Sequence, residues 1–421
     1  MRESRIASGS PPAVIVGFEL NGLGVARALA RHGVECIGLT GPLPHPAAKT
    51  NTCKVIACAT WSREAVLRQL VAIGMKQKRR LPLLITKEGP VRWISDAREE
   101  IAELYDFRLP ARPVVDSLLD KATFARMCER EGWPIPRTWR IETEDQLRDI
   151  LPELPFPCIL KPEVHTHRFG ESSPRKAFKL VDAADLLSTY RMAAQWARGF
   201  VLQEWIQGGD DRIAFCLTYA AHDGTLLAAF PGRKLRQYPP ECGNTALCAP
   251  VPPPWRAPIG ELTERIWRSV GFSGLGSIEY KMRIGSDQPV IVEPTVGRTN
   301  YQNELAVLNG INIPLIAYCD LVALPLPAMP VRATRRKLVD GMREISSARH
   351  YLREGTLGVR QWLRDRSGSC RYMTFRVGDS GPFVASVTGG LRALAGRSVE
   401  RLIGRSGKLR LKTAIRVVRG S

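Results

Sequence analysis

The chain has 421 residues, 44% of them hydrophobic and 24% charged, which is enough for two or three domains with their own cores. No stretch reaches the roughly 20 apolar residues of a membrane-spanning helix, and the polar N-terminus lacks the apolar segment of a signal peptide. The 10 cysteines show neither CxxC pairs nor zinc-like spacing with histidine, so we expect reduced thiols in a cytoplasmic protein.

The net charge of +20 is concentrated near the C-terminus. Residues 331–421 contain 21 Lys and Arg against 6 Asp and Glu, whereas the preceding 330 residues contain 40 against 35. A basic extension on a near-neutral body predicts contact with an anionic surface, either nucleic acid or, as favoured here, the inner face of a membrane. Residues 355–366, with Trp362 and Leu363 among arginines, are the expected interfacial segment. An ordinary packed helix, or an Arg-rich end that binds nothing specific, explains the same composition.

The N-terminal third has the pattern of a doubly wound α/β domain. A strand at Ala13–Val16, a helix at Val25–His32 and a second strand at Val34–Leu39 open it, and Leu81–Thr86 is a further buried strand. The glycines after the first strand resemble a dinucleotide fingerprint only weakly. An NAD site is not favoured, because Thr40 stands where the ribose needs an acidic residue.

Two carboxylates, Glu279 in SIEYK and Glu293 in PVIVEP, lie in β-prone stretches separated by a turn-like segment, Gly285–Gln288. This pattern predicts a hairpin or two neighbouring strands that bring the carboxylates together on one face. Two adjacent carboxylates repel each other unless a cation bridges them. Because Mg²⁺ is typically held by one or two carboxylates plus substrate phosphates, the pair predicts a magnesium site. Solvent-facing acids at two strand ends are the alternative.

Further charged residues occur in a definite order before this pair. Lys121 opens a helix, Lys161 ends a strand, and a polar loop between Pro162 and Lys176 has the composition to fold over phosphates. Two histidines of that loop, His165 and His167, lack further metal ligands and are expected to face solvent. The order continues with a strand and glycine turn, Gln203-Glu-Trp-Ile-Gln-Gly-Gly-Asp210, and with a basic loop, Pro231-Gly-Arg-Lys-Leu-Arg236.

The order of these motifs over residues 13 to 325 resembles the ATP-grasp superfamily, in its carboxylate–amine ligase or D-aspartate ligase-like branch. The resemblance implies a mixed α/β (α+β) protein with an ATP-grasp fold after a Rossmann-like domain and before a basic C-terminal extension. The domains expected from it are the Rossmann-like domain 1–115, the small lid subdomain with its linker 116–200, the large subdomain with the metal site 201–328 and the extension 329–421.

The resemblance also implies an ATP site. Lys161 would contact the α- and β-phosphates as a point charge, and Lys121 would flank the nucleotide from the linker side. Asp210 would accept hydrogen bonds from the ribose hydroxyls. The strand that links the two halves of the fold would present its backbone to adenine, through Glu204, Trp205 and Ile206.

For the metal, the resemblance implies that Glu279 and Glu293 hold one or two Mg²⁺ ions, with Mn²⁺ as a substitute. Many members have an asparagine two residues after the second carboxylate, but this chain has Thr295, which is a weaker ligand. Thr295, water or the nearby Asn300 would complete the ligand set. The departure puts a second metal ion in doubt.

Catalytic contacts are expected from Arg298, Arg236 and Lys234. Arg298 would stabilise charge on a phosphorylated intermediate or bind a substrate carboxylate bidentately. The carboxylate would bind where Arg236 and Arg298 converge, and Lys234 would contact substrate or phosphate, although its loop could be only a solvated turn. The segments Gly22–Gly24 and Thr86–Glu88 would form part of the substrate cleft.

The favoured function is an ATP-dependent carboxylate–amine ligase acting through an acyl phosphate, with ADP and phosphate as products. Its partners would be ATP, a small carboxylate and an amine, which we expect to be an amino acid. Alternatives are a non-catalytic ATP-binding regulator or scaffold that uses the basic end, and a carboxylating enzyme that uses bicarbonate. The sequence leaves a homo-oligomer and the identity of both co-substrates open.

Overall fold

The computed structural model describes residues 6–7, 9–43, 45–163, 177–241, 243–298, 300–328 and 334–391. Its strands form three sheets, one with five strands, one with four and one with seven. Among the described helices, none combines the length and the apolar character that crossing a membrane requires. The mixed α/β class predicted from the sequence is confirmed.

The five-stranded sheet is parallel and has the order β3-β2-β1-β4-β5. The doubly wound pattern predicted for the N-terminal third therefore forms, with ligand-facing loops expected at the carboxyl ends of the strands. The helices between them bury apolar faces against this sheet. Its elements are β1 Ala13–Val16, α1 Leu20–Ala30, β2 Cys36–Thr40, β3 Lys54–Ala57, α2 Arg63–Gly74, β4 Leu81–Ile85, α3 Glu88–Asp96, α4 Arg98–Ile101 and β5 Tyr105–Asp106.

The four-stranded sheet follows two connecting helices, α5 Arg112–Leu119 and α6 Lys121–Arg130. Its antiparallel order is β6-β9-β7-β8, and its described residues have a core of their own. Because the last strand pairs inside this sheet, the sheet extends to Glu204, past the boundary at residue 200 expected from the sequence. Its elements are β6 Thr138–Ile141, α7 Glu144–Ile150, β7 Cys158–Pro162, β8 Phe178–Leu180, α8 Ala183–Ala193 and β9 Phe200–Glu204.

The seven-stranded sheet has the order β14-β13-β10-β11-β12-β15-β16. Its last two strands come from the predicted C-terminal extension, so the described part of that extension is built into the sheet and is not an appendage. The elements are β10 Ile213–Ala220, β11 Leu226–Tyr238, β12 Asn244–Pro250, α9 Pro253–Ser269, β13 Gly274–Met282, β14 Pro289–Val296, α10 Asn303–Leu308, α11 Ile313–Leu321, β15 Lys337–Val339, α12 Gly341–Arg353, α13 Val359–Arg366 and β16 Cys370–Tyr372.

Two buried ion pairs fasten the end of the described chain to the body. Arg27 Nε lies 2.7 Å from Asp379 Oδ2, and Arg376 pairs with Glu304, with all four side chains largely removed from solvent. Asp379 also accepts hydrogen bonds from Thr50 Oγ1 at 2.8 Å, so the C-terminal segment contacts the parallel sheet's domain directly.

The parallel sheet meets the large sheet at the turn after β14. Ile85, at the end of β4, forms a parallel bridge with Arg298. The preceding Gly297 has a φ of 68°, and a Cβ there would lie 2.5 Å from Leu109 and 2.9 Å from Val91. A glycine is therefore required both by the left-handed backbone and by the close approach of the N-terminal domain.

Replacing Gly297 by alanine is expected to destabilise the protein more than the same change at Gly285. The two glycines have φ of 68° and 74°, so each alanine incurs a backbone cost of about 1–2 kcal/mol. Among the described residues Gly285 has no neighbour within 4 Å of the new Cβ, so only Gly297→Ala adds overpacking. That addition should lower the free energy of unfolding in urea titrations by about 1–3 kcal/mol more. Equal losses in both variants would contradict the close approach.

Candidate active site

A cleft opens where the three sheets meet. Four of the side chains predicted to bind nucleotide, metal or substrate line it together: Lys121 of α6, Lys161 of β7, Glu293 of β14 and Arg298. Gln203 of β9 lies in the same wall. These residues are separated by up to about 180 positions in the sequence, and the fold brings them to one site.

The two predicted metal carboxylates are cross-strand partners. β13 and β14 pair antiparallel, and Glu279 lies directly opposite Glu293. The prediction that neighbouring strands bring them to one face is confirmed, because directly opposed residues of an antiparallel pair share a face. Glu293 is exposed towards the cleft, whereas Glu279 is half-buried and its Oε2 lies 2.9 Å from Lys234 Nζ.

The pair fits a magnesium ion that takes its remaining ligands from phosphate and water. Mg²⁺ prefers carboxylate oxygen and usually keeps several non-protein ligands. Among the described residues no group of three or more His, Cys, Asp or Glu gathers as a complete metal cage. Thr295 is two residues beyond Glu293 on the same strand and also lines the cleft, as expected for side chains that share a strand face.

Lys161 is oriented by a chain of side-chain hydrogen bonds. Its Nζ donates to Gln203 Oε1 at 2.9 Å, and Gln203 Nε2 donates to Thr138 Oγ1 at 2.9 Å. Lys121 is the first residue of α6, whose N-terminus is capped by Asp120. Lys121 thus lies at the start of a helix and Lys161 near the end of a strand. Both line the cleft, where the phosphate groups of a nucleotide can reach them.

Arg298 connects the large sheet to the N-terminal domain. Its Nη1 donates to Asn300 Oδ1 at 2.6 Å and its Nη2 donates to Glu88 Oε2 at 3.0 Å. The side chain is 16% exposed and lines the cleft. The two hydrogen bonds therefore fix the guanidinium, which stays accessible from the cleft. Glu88, which the sequence assigned to the substrate cleft, lines that cleft.

Arg236 occupies a different environment from the one expected. It lies in strand β11, not in a loop, and its guanidinium donates to Glu344 at 2.6 Å and to Asp365 at 2.5 Å. The Arg236 side chain is 3% exposed and that of Glu344 is fully buried. Among the described residues, those lining the cleft do not include Arg236, so its convergence with Arg298 is not seen. Sequence reasoning missed the acidic residues that fold back from the C-terminal segment.

The other two basic residues of this strand point in different directions. Lys234 pairs with Glu279, as described above, and also donates to Gln237 Oε1 at 3.2 Å. Arg233 lies over the Trp255 ring, 5.7 Å from its centroid. The predicted basic loop is therefore a strand, and its Lys234 contacts Glu279, one of the two predicted metal ligands.

Asp210 is an internal anchor. Its carboxylate accepts hydrogen bonds from Gln237 N at 3.0 Å, Gln237 Nε2 at 2.8 Å, Glu241 N at 3.3 Å and the Tyr351 hydroxyl at 2.6 Å. A carboxylate has about four acceptor sites, so these donors fill it. In this conformation Asp210 therefore has no acceptor site left for the ribose hydroxyls that were expected to contact it.

The predicted adenine segment joins the four-stranded sheet to the large one. Glu204 ends β9 and its N–H donates to Arg137 O at 2.9 Å. Lys179 Nζ lies 4.7 Å from the centroid of the Trp205 ring, and Ile206 is buried. An adenine contact at these residues stays a prediction.

Lys281 is a residue of this region that sequence reasoning missed. Its Nζ donates to Gly208 O at 2.7 Å and to Gly209 O at 2.8 Å. Desolvation lowers the pKa of Lys281 to about 8, against the opposing effect of Asp210 and Asp211. Its position two residues after Glu279 on β13 was the available signal, since such residues share a strand face.

The loop between Pro162 and Lys176, including His165 and His167, lies outside the described residues from 164 onward. The phosphate-covering role of this loop therefore stays a prediction.

Solved structures similar to this chain share its ATP-grasp fold. Biotin carboxylase from Campylobacter jejuni, solved as a β,γ-ATP complex, has a TM-score of 0.59 and 13% identity, with 75% of this chain and 72% of that chain covered. N5-carboxyaminoimidazole ribonucleotide synthetase from Thermus thermophilus has a TM-score of 0.57 and 15% identity, with 77% and 81% covered. The predicted ATP-grasp fold with a Rossmann-like N-terminal domain is thereby confirmed.

A curated relative agrees with this fold. D-aspartate ligase from Enterococcus faecium (strain Aus0004) is 21% identical over 317 residues, which is 71% of this chain and 74% of the relative. No family model matches the chain. The chain therefore has the ATP-grasp fold and is similar in sequence to a D-aspartate ligase, as the order of its motifs indicated.

The lowered pKa of Lys281 predicts a pH-dependent stability. Between pH 8 and the ordinary lysine value of 10.5, the unfolded chain binds more protons at this residue than the folded one. The free energy of unfolding therefore rises with pH across this window. Relative to Lys281→Met, the wild type should gain about 1–2 kcal/mol between pH 7.5 and 9.5 in urea titrations.

Lys54→Met, at an exposed position on β3, serves as the control and should keep the wild-type profile. Parallel pH profiles for the wild type and Lys281→Met would show that burial does not perturb this lysine.

Proposed function

We propose that the protein uses ATP to activate a small carboxylate as an acyl phosphate and joins it to an amine. The observation that carries this proposal is the position of Glu293, which lies opposite Glu279 on the neighbouring strand and lines a cleft that also contains Lys121, Lys161 and Arg298. Two acids beside three cations suit a ligand that brings both a metal ion and several negative charges, as a nucleoside triphosphate does.

Each of these residues has a defined task in phosphoryl transfer. Lys161, held by Gln203, would bind the inner phosphates, and Lys121 would flank the nucleotide. Mg²⁺ held by Glu279 and Glu293 would neutralise charge on the outer phosphates. Lys234 limits the charge repulsion at Glu279 while the cleft is open to solvent. Catalysis then depends on positioning and electrostatics more than on proton transfer.

The bond changes balance in two steps. A substrate carboxylate oxygen attacks the γ-phosphorus, the bond to the β-phosphate oxygen breaks, and ADP leaves. The amine nitrogen then attacks the acyl carbon, and inorganic phosphate leaves with the bonding electrons while the nitrogen loses a proton. Arg298 lies beside the proposed phosphate site with its guanidinium fixed by Glu88 and Asn300, so it would stabilise charge on the carboxylate and on the acyl phosphate.

An amino acid is proposed as the amine. The name of the relative, D-aspartate ligase, makes D-aspartate the first amino acid to test. The carbon skeleton of the carboxylate partner is left to a screen of small carboxylic acids. A cytoplasmic location is proposed as well, since ATP is the co-substrate.

Glu293→Gln is expected to abolish amino-acid-stimulated ADP release. The amide keeps the size of the side chain but removes the charge that holds the metal ion, so turnover should fall on the order of 100-fold or more. ADP release would be measured with pools of amino acids and small carboxylates. Glu264→Gln, at an exposed ion pair on α9, is the matched control and should retain activity.

If Glu293→Gln turns over like the wild type, the metal role is wrong. If the wild type binds ATP but releases no ADP with any pool, the non-catalytic regulator becomes the better account.

A second proposed function is peripheral attachment to anionic membrane. Of the 18 large hydrophobic side chains exposed in the described residues, 11 lie within residues 334–391, the same part of the chain that is rich in arginine. Leu363 is exposed as expected, but Trp362 is partly buried and its Nε1 donates to Glu344 at 3.2 Å, so Trp362 is not an interfacial anchor. Residues 381–391 are helical and expose Val384, Val387 and Leu391 at helical spacing.

Replacing Val384, Val387 and Leu391 together by serine should weaken binding to vesicles containing phosphatidylglycerol about tenfold or more, because three apolar side chains no longer enter the bilayer interface. Wild-type binding should also fall steeply with salt. Cosedimentation with neutral and anionic vesicles measures both effects. The control variant replaces three exposed apolar residues elsewhere, Met75, Val181 and Ile284. Equal binding by the two triple variants, or no binding by the wild type, would contradict attachment.

A further inference from the structure

One face of α12 is bonded to β11, the strand whose Lys234 pairs with the proposed metal ligand Glu279. Glu344, Ser347 and Tyr351 follow the spacing i, i+3 and i+7, which places them on the same side of a helix. Each makes a hydrogen bond to β11 or to Asp210. We infer that α12 holds the ATP site in position through β11 and Asp210, and that Tyr351 is a positioning residue for the segment that binds the adenosine end of ATP. This inference rests on the proposed function.

The first contact fixes the helix against the C-terminal part of β11. Glu344 is fully buried and accepts hydrogen bonds from Arg236, which Asp365 of α13 also contacts. A buried ion pair with several hydrogen bonds has a narrow range of allowed geometries, since loss of one partner leaves an unpaired charge. The pair therefore sets the position of α12 along the strand.

The second contact reaches Gln237, which connects the two halves of the site. Ser347 Oγ donates to Gln237 O at 2.8 Å. The Gln237 side chain accepts from Lys234 and donates to Asp210, while Lys234 pairs with the metal-site residue Glu279. A continuous series of polar contacts thus runs from α12 to a proposed metal ligand on one side and to Asp210 on the other.

The third contact holds Asp210 itself. The Tyr351 hydroxyl donates to Asp210 Oδ2 at 2.6 Å, a short bond of the kind formed to a charged acceptor. Burial and the neighbouring Asp210 carboxylate raise the pKa of Tyr351, so the hydroxyl keeps its proton at neutral pH. Tyr351 therefore fills one of the four acceptor positions of Asp210.

Asp210 directly follows the turn Gly208–Gly209, whose carbonyl groups accept hydrogen bonds from Lys281. That turn continues from Glu204–Ile206, the proposed adenine segment. Loss of the Tyr351 hydroxyl should therefore loosen the segment at the adenosine end and leave the phosphate end, at Lys161 and Glu293, in place. ATP and ADP should lose affinity by the same factor.

The test compares two tyrosine variants by calorimetry with Mg-ATP and Mg-ADP. Tyr351→Phe should raise both dissociation constants about tenfold, as expected for one charge-assisted hydrogen bond. Tyr318→Phe is the matched control, because this buried hydroxyl on α11 donates to Pro11 O at 2.8 Å, away from the cleft. It should lower the melting temperature to a similar extent without altering either dissociation constant.

Equal nucleotide affinities in the two variants would overturn the inference and leave α12 with a purely structural role. A loss for ATP alone would also overturn it, because it would assign Tyr351 to the phosphate end. Absence of nucleotide binding by the wild type would instead contradict the proposed function, and the inference would fall with it.

Discussion

The site depends on the antiparallel register of β13 and β14. That register sets Glu279 against Glu293, and a shift by one residue would turn one carboxylate to the opposite face of the sheet. Two opposed acids repel each other, and the structure relieves this with Lys234 at 2.9 Å from Glu279 and with the exposure of Glu293 to the cleft. The arrangement is stable as it stands and still leaves a carboxylate directed at the position proposed for the outer phosphates.

Several parts of the chain hold in place the residues around this pair of strands. The N-terminal domain reaches it through Glu88 and Arg298, and the Gly297 turn allows the backbones to approach. The four-stranded sheet supplies Lys161 through the hydrogen bond to Gln203. The C-terminal segment contributes from the far side through α12. A ligand in the cleft would therefore contact side chains that hydrogen bonds and ion pairs already hold in place, as preorganised electrostatic catalysis requires.

Local patterns in the sequence were sufficient for the buried strands, but the first helix begins at Leu20 instead of Val25, and residues 231–236 are a strand instead of a loop. The buried strands at Ala13–Val16 and Leu81–Ile85, and the pairing of Glu279 with Glu293, follow from apolar periodicity and a glycine turn. Those signals lie within a few residues of each other. The order of motifs then indicated the ATP-grasp fold, which the similar solved structures bear out.

Contacts between distant residues were beyond such reasoning. Arg236 was expected to bind the substrate carboxylate, yet Glu344, which lies more than 100 positions away in the sequence, neutralises it. Asp210 was expected to be a ribose ligand from the resemblance to the ATP-grasp superfamily, and Tyr351 fills one of its acceptor sites. The composition alone predicted that the C-terminal residues form an extension. It does not reveal that two of their short segments pair as strands in the large sheet.

Magnesium-dependent nucleotide binding tests the central claim most directly. Calorimetric titration of the wild type with ATP should give a Kd that is tight with magnesium present and much weaker after chelation with EDTA. In Glu279→Gln the two values should converge, because the metal ion has lost one of its two protein ligands. An affinity for ATP that is the same with and without magnesium, or no heat of binding under either condition, would contradict the account.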